Sequence, residues 1–132
     1  MKRIPVVLLL LIICTAVLYG CTSGGENTVK NTFEQISPAE AKAIMDERDD
    51  YVILDVRTQE EYDEAHIEGA ILIPDYEISA KAESVLKDKE QLILVYCRSG
   101  RRSKNAASKL ATLGYTNIKE FGGIIDWPYE TV

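Results

Sequence analysis

Three short apolar runs constrain what this chain can fold into: Tyr51-Val52-Ile53-Leu54, Ala70-Ile71-Leu72-Ile73 and Leu92-Ile93-Leu94-Val95-Tyr96. Each is too short for a helix, and none alternates with polar residues. A strand that is apolar on both sides must be covered on both sides, which is the pattern of a largely parallel sheet between helices. The intervening stretches supply those helices. Ser37-Pro38-Ala39-Glu40 combines an N-cap, a proline at the first helical position and the glutamate of a capping box. Ala41, Ile44 and Met45 then form the buried stripe. Thr58 with Glu60 and Glu61 starts a short helix toward His66, and Ser79–Lys87 reads as another. Ala106, Ala107, Leu110, Ala111 and Leu113 line one helical face opposite Lys104, Asn105, Ser108, Lys109 and Thr112, with Gly114 as the stop. Ile118–Phe121 reads as a last strand. The expected fold is a single α/β domain, a mostly parallel central sheet with helices on both faces. No internal repeat is present.

The first residues read differently. Met1-Lys2-Arg3 is a positive start, and Ile4 to Val17 is almost wholly apolar, the pattern of an export signal. The uncharged stretch Ile4–Gly20 is at the short limit for a membrane-spanning helix, which needs about 20 residues. Leu18-Tyr19-Gly20-Cys21 resembles the lipobox of bacterial lipoprotein signals, in which cleavage precedes a cysteine that receives a diacylglyceryl group. The expected organisation is a lipoprotein signal peptide at 1–20, a lipidated Cys21 on a flexible polar tether over 21–32, and one domain over 33–132. That organisation places the protein outside the cytoplasm, lipid-anchored to a bacterial membrane on its periplasmic or outer side. Cleavage removes Lys2 and Arg3 but no acid, taking the formal charge from −6 to −8. So acidic a chain argues against nucleic-acid binding.

The chain has three cysteines. Cys14 leaves with the signal and Cys21 is lipidated, so Cys97 is the only thiol left to the domain and no internal disulfide can form. It lies in Cys97-Arg98-Ser99-Gly100-Arg101-Arg102-Ser103, between a buried strand and the start of a helix. The free N–H groups and dipole of a helix N-terminus favour a thiolate there, and so do the neighbouring arginines. The bland alternative, a buried core cysteine, sits poorly with glycine and arginine neighbours. Asp55 and Arg57 also fall at a strand's carboxyl end, where sheets of this kind bind ligands.

Consecutive backbone N–H groups around such a turn cradle an anion, and Gly100 lets the chain curl where a side chain would obstruct it. The anion can be a thiolate, an oxyanion or a persulfide. Arg98, Arg101, Arg102 and Lys104 add positive charge at the mouth, although each alone could equally be a solvated surface charge. Arg102 reads as structural, its fork suited to an acidic side chain behind the loop, with Glu61 a candidate.

Leu54-Asp55-Val56-Arg57, Glu61-Tyr62 and His66-Ile67-Glu68-Gly69-Ala70 up to Ile73-Pro74 resemble the first signature of rhodanese domains. Cys97–Ser103 resembles their active-site loop, and Gly122-Gly123 followed by Trp127 their closing segment. The resemblance runs from about Phe33 to Trp127; Ala65 departs from it, standing where the family commonly has glycine. It implies a sulfurtransferase in which Cys97 takes a sulfane sulfur from a donor such as thiosulfate, becomes a persulfide and passes the sulfur to a thiol or cyanide. Arg98, Ser99, Gly100, Arg101, Arg102 and Ser103 would form the cradle; Asp55 would support the loop from beneath, with Arg57 and Glu61 in the same network. No metal or organic cofactor is implied. The partners are a small anionic donor, a thiol acceptor and, through the lipid, a membrane, and a monomer is expected. His66 matches a position that is usually structural in the family, and Trp127 and Tyr129 read as core and edge aromatics.

Two other readings remain. Cysteine phosphatases and arsenate reductases of similar fold use an anion cradle, but their loops are one residue longer, and phosphatases carry an arginine six positions after the cysteine, where Ser103 stands. A non-catalytic binding or sulfur-delivery module is the second.

Overall fold

The computed structural model describes residues 32–132. The signal segment, Cys14, the Cys21 lipidation site and the tether as far as residue 31 lie outside the described residues. Within them the chain runs β1 (Glu34–Gln35), α1 (Pro38–Glu47), β2 (Tyr51–Asp55), α2 (Gln59–Glu64), β3 (Ile71–Leu72), α3 (Ile78–Val85), β4 (Leu92–Cys97), α4 (Arg101–Thr112) and β5 (Ile118–Gly123). One-turn 3-10 helices cover Asp75–Glu77 and Ile124–Asp126.

The five strands form one sheet in the order β1-β5-β4-β2-β3, and every pairing is parallel. Central β4 is buried at all six positions. Because side chains alternate across a strand, Leu92, Leu94 and Tyr96 enter one core while Ile93, Val95 and Cys97 enter the other. The first core packs under α1 through Ala41, Ile44 and Met45, with Tyr62 of α2 beside it. The second packs under α3 and α4 through Ile78, Ala82, Ala106, Ala107, Leu110 and Ala111. Cys97 therefore ends its strand facing α4, which follows it in the chain.

Local chemistry sets the ends of these elements. The capping box at Ser37 and Glu40 forms, and Thr58 and Glu61 make a second one at the start of α2. Gly114 ends α4 in the left-handed region at φ 97°.

The elements differ from the sequence reading in several places, and the last strand runs on past Phe121 to Gly123. The helix read at Ser79–Lys87 is α3, Ile78–Val85; it starts from the preceding 3-10 turn and stops where Leu86 leaves helical geometry and enters the core at 4% exposure. Of Ala70–Ile73 only Ile71 and Leu72 pair as a strand. The edge strand β1 carries no hydropathy signal, since both of its side chains are exposed and only its backbone joins β5.

β4 and β5 do not stay in simple register. Val95 pairs with Glu120 but Cys97 with Gly123, so β5 carries one extra residue, a bulge accommodated by Gly122 at φ 92°. The bulge brings Gly123 against the backbone just beyond Cys97. A Cβ at Gly123 would lie 1.9 Å from the Arg98 carbonyl oxygen, a position no side chain can occupy.

Candidate active site

Cys97 closes β4 and is 1% exposed. Gly100 turns the chain at φ 104°, and its N–H donates to the Cys97 Sγ at 3.0 Å. Helix α4 begins at once, with Gly100 as N-cap, no side-chain cap and no acidic residue in its first turn. Both α1 and α2 have acids and capping boxes at that position. The N-terminus of α4 therefore keeps its positive end uncompensated, beside the sulfur. Ser103 Oγ stands 3.3 Å from Sγ on the other side, fully buried.

The basic residues divide into two kinds. Arg98, Arg101 and Lys104 are exposed, as is Ser99. Arg102 is held: its Nη1 and Nη2 donate to the two carboxylate oxygens of Glu61, each at 2.8 Å. The same carboxylate accepts from the Thr58 N–H and hydroxyl, so one side chain caps α2 and clamps α4. Hydrogen bonds from Arg102 hold the Glu61 carboxyl down at about 2 against partial burial, assisted by Thr58. Arg102 is raised in turn, chiefly by Glu61, and lies close enough to Cys97 for a thiolate to add to that shift.

Asp55 and Arg57 form a second, deeper pair. The Arg57 guanidinium donates to both Asp55 oxygens, and Asp55 Oδ1 also accepts the Arg57 backbone N–H. Burial opposes the Arg57 charge, but the hydrogen bonds and charge of Asp55 outweigh it and raise the guanidinium. Tyr96 donates to Asp55 at 2.6 Å and accepts the Ile67 N–H, while Arg57 donates to the Ala65 carbonyl. Burial, together with the Asp55 hydrogen bond, pushes the Tyr96 phenol up. Asp55 thus reaches the cysteine loop through Tyr96, the residue before Cys97, and gives its remaining bonds to Arg57, which in turn holds the Ala65 carbonyl just after α2. Arg57, Glu61 and Arg98 line one cavity of about 380 Å³ with Ile124, Ile125 and Trp127.

His66 is engaged by Tyr62: its ring stacks on the Tyr62 ring at 3.7 Å and its Nδ1 pairs with the Tyr62 carbonyl. Trp127 is buried against Phe121, and Tyr129 packs edge-on upon it. Among the described residues no three His, Cys, Asp or Glu side chains are grouped as metal ligands.

Glu120 escaped the sequence reading. It is 2% exposed, and its Oε1 receives Ser103 Oγ at 2.6 Å and the Gly122 N–H at 2.8 Å. The only sign in the sequence was an acid inside the short strand Ile118–Phe121, which periodicity alone assigns to a solvated face.

A model of the rhodanese-like domain matches residues 37–128. The chain belongs to the rhodanese-like domain family. Among curated relatives, it is 38% identical over 73 residues to the thiosulfate sulfurtransferase PspE of Escherichia coli, covering 55% of this chain and 70% of that protein. It is 35% identical over 96 residues to the thiosulfate sulfurtransferase GlpE of Coxiella burnetii, covering 72% and 87%. Among solved structures, a rhodanese with anions from E. coli superposes with a TM-score of 0.59 at 35% identity, over 62% of this chain and 96% of that one. The rhodanese-like domain of an Anabaena protein gives 0.69 at 27% identity, over 74% and 77%. The five-stranded parallel sheet covered by helices is thus the rhodanese fold, and the named relatives support a sulfurtransferase.

The shifted Glu61 carboxyl gives a pH-dependent contribution of known sign. Its folded value lies below the ordinary 4.5, so the contribution is complete above pH 4.5 and is lost as pH falls toward about 2. Glu61→Gln should destabilise the domain at neutral pH by roughly 1 kcal/mol, since the pair is partly exposed. In urea unfolding the gap between variant and parent should close between pH 4.5 and 2. A gap that stays constant over that range would contradict the assignment.

Proposed function

We propose that this rhodanese-like protein is an exported, lipid-tethered sulfurtransferase that carries sulfane sulfur as a persulfide on Cys97. The observation that carries the reading is Cys97, the one free cysteine among the described residues, under an uncapped helix start with the Gly100 N–H 3.0 Å from Sγ. A thiolate there attacks the outer sulfur of thiosulfate; the S–S bond breaks and sulfite leaves with the electron pair. The outer sulfur, now bonded to Sγ, is held by loop N–H groups from Arg98 to Ser103 as the charge shifts outward by one atom. An acceptor thiolate or cyanide then attacks that sulfur and releases the Cys97 thiolate. Donors of this kind are anions, which suits the exposed Arg98, Arg101 and Lys104 at the loop. The E. coli rhodanese described above was itself solved with anions.

The phosphatase reading finds no support at the sixth position after the cysteine. Ser103 is buried there and bonded to Glu120, with no arginine to grip a phosphate.

Incubation of the purified protein with thiosulfate should leave the Cys97 peptide about 32 Da heavier, the mass of one sulfur atom. Cys97→Ser should give no such peptide. Absence of the adduct with thiosulfate, polysulfide and thiosulfonate alike would refute the activity.

The membrane placement rests on Leu18-Tyr19-Gly20-Cys21 after the apolar stretch Ile4–Val17. Cells fed a labelled fatty acid should label the parent protein and not Cys21→Ala. Label retained by that variant would refute lipidation at Cys21.

A further inference from the structure

The proposed reaction needs a thiolate, and at 1% exposure the Cys97 thiol has little contact with water that could take its proton. The nearest proton-accepting side chain is Ser103, 3.3 Å away on the first turn of α4. Behind it, Glu120 on β5 offers Oε1 at 2.6 Å from the Ser103 oxygen. Sulfur, hydroxyl and carboxylate thus form one line buried at every member; the Ser103 hydroxyl also has the Gly100 carbonyl oxygen within reach at 2.9 Å, and Glu120 Oε1 at 2.6 Å is the nearer acceptor. A Cβ placed on Gly100 would lie 3.8 Å from the same Glu120 oxygen, which sets the carboxylate directly beneath the loop.

Glu120 has no cation of its own. Among the described residues no Lys, Arg or His forms an ion pair with it. On β5 the neighbouring Lys119 pairs with Glu34 of β1. On α4 Arg102 pairs with Glu61, while Arg101 and Lys104 point to solvent, as does Arg98 on the loop. Asp75, before α3, acts on Arg102. A buried carboxylate and a buried thiolate this close repel each other, and two unpaired buried charges cost far more than one.

We infer that Glu120 takes the Cys97 proton through Ser103, so that cysteine and glutamate share a single proton and the thiolate forms without a proton leaving the site. The Cys97 S–H bond breaks as its proton passes to Ser103 Oγ, and the hydroxyl proton of Ser103 passes to Glu120 Oε1. The thiolate is then met by the Gly100 N–H and the re-formed Ser103 hydroxyl, and Glu120 is a neutral acid. Glu120 is a positioning residue, since it acts through Ser103 and touches neither donor nor acceptor. The inference rests on Cys97 being the nucleophile, but its test requires no sulfur donor and can fail independently of sulfur transfer.

The test is the rate of Cys97 alkylation by iodoacetamide against pH, read on the Cys97 peptide of the full-length protein. Two coupled groups lose their protons in two steps, so the parent should show two inflections with a plateau between them, set by the fraction in which Glu120 holds the proton. Glu120→Gln keeps an acceptor for Ser103 and Gly122 but cannot take a proton. It should show one inflection, with the rate falling about tenfold per pH unit below it and no plateau. Ser103→Ala keeps both titrating groups but removes the hydroxyl that bonds the thiolate, so both inflections should remain while the plateau rate falls. A purely structural role for Glu120 would change the rate at all pH values without changing the number of inflections. A parent profile with one inflection overturns the inference whether or not the variants fold, and so does a plateau that survives in folded Glu120→Gln or one that is undiminished in folded Ser103→Ala.

Discussion

The site depends on a backbone contact between the end of β5 and the first residue after the cysteine. Gly123 lies so close to the Arg98 carbonyl that only hydrogen fits on its Cα, and the same carbonyl accepts the Ile125 N–H at 3.2 Å. That contact holds one side of the loop while α4 holds the other. The bulge at Gly122 makes the approach possible by advancing β5 one residue past β4. Loop, bulge and helix start are therefore one unit, and the loop's shape follows from backbone geometry.

Two arginine–carboxylate clamps tie that construction to the rest of the domain. Arg102 and Glu61 lock the helix after the cysteine to the helix after β2. Asp55 and Arg57, both nearly inaccessible to solvent, lock the end of β2 to Tyr96 and to the Ala65 carbonyl. A buried pair of this kind is weak evidence for net stability, because desolvation offsets most of the attraction; breaking it by removing one partner is costly, at about 3–5 kcal/mol. Its consequence here is positional. The paired guanidiniums are engaged elsewhere, and the exposed charges around the loop are those of Arg98, Arg101 and Lys104.

The fold was legible because burial on both faces of a sheet leaves a mark in composition: the uninterrupted apolar runs at 51–54 and 92–96 had no other economical explanation. Helix starts were legible for the same kind of reason, since the capping boxes at Ser37 and Thr58 use local bonds between residues three apart. Edge strand β1 was not legible, because its contribution is backbone pairing with exposed side chains. In the site, the arrangement within Cys97–Ser103 is local and could be read, whereas the contacts of Glu120 depend on bringing β5 beside α4. An acid in a strand gives no hint that its partner is a serine 17 residues earlier. Tyr96, read only as the end of an apolar run, likewise acquires its role as a bridge from Asp55 across the sheet.

The central claim is that the loop holds a sulfur atom on Cys97, and a crystal structure after thiosulfate treatment tests it most directly. The account predicts one additional sulfur bonded to Sγ, enclosed by the loop Arg98–Ser103 with backbone N–H groups directed at it, while the Arg102–Glu61 pair stays in place. An unmodified Sγ beside a loop occupied by intact thiosulfate, or added sulfur pointing away from the loop, would contradict it.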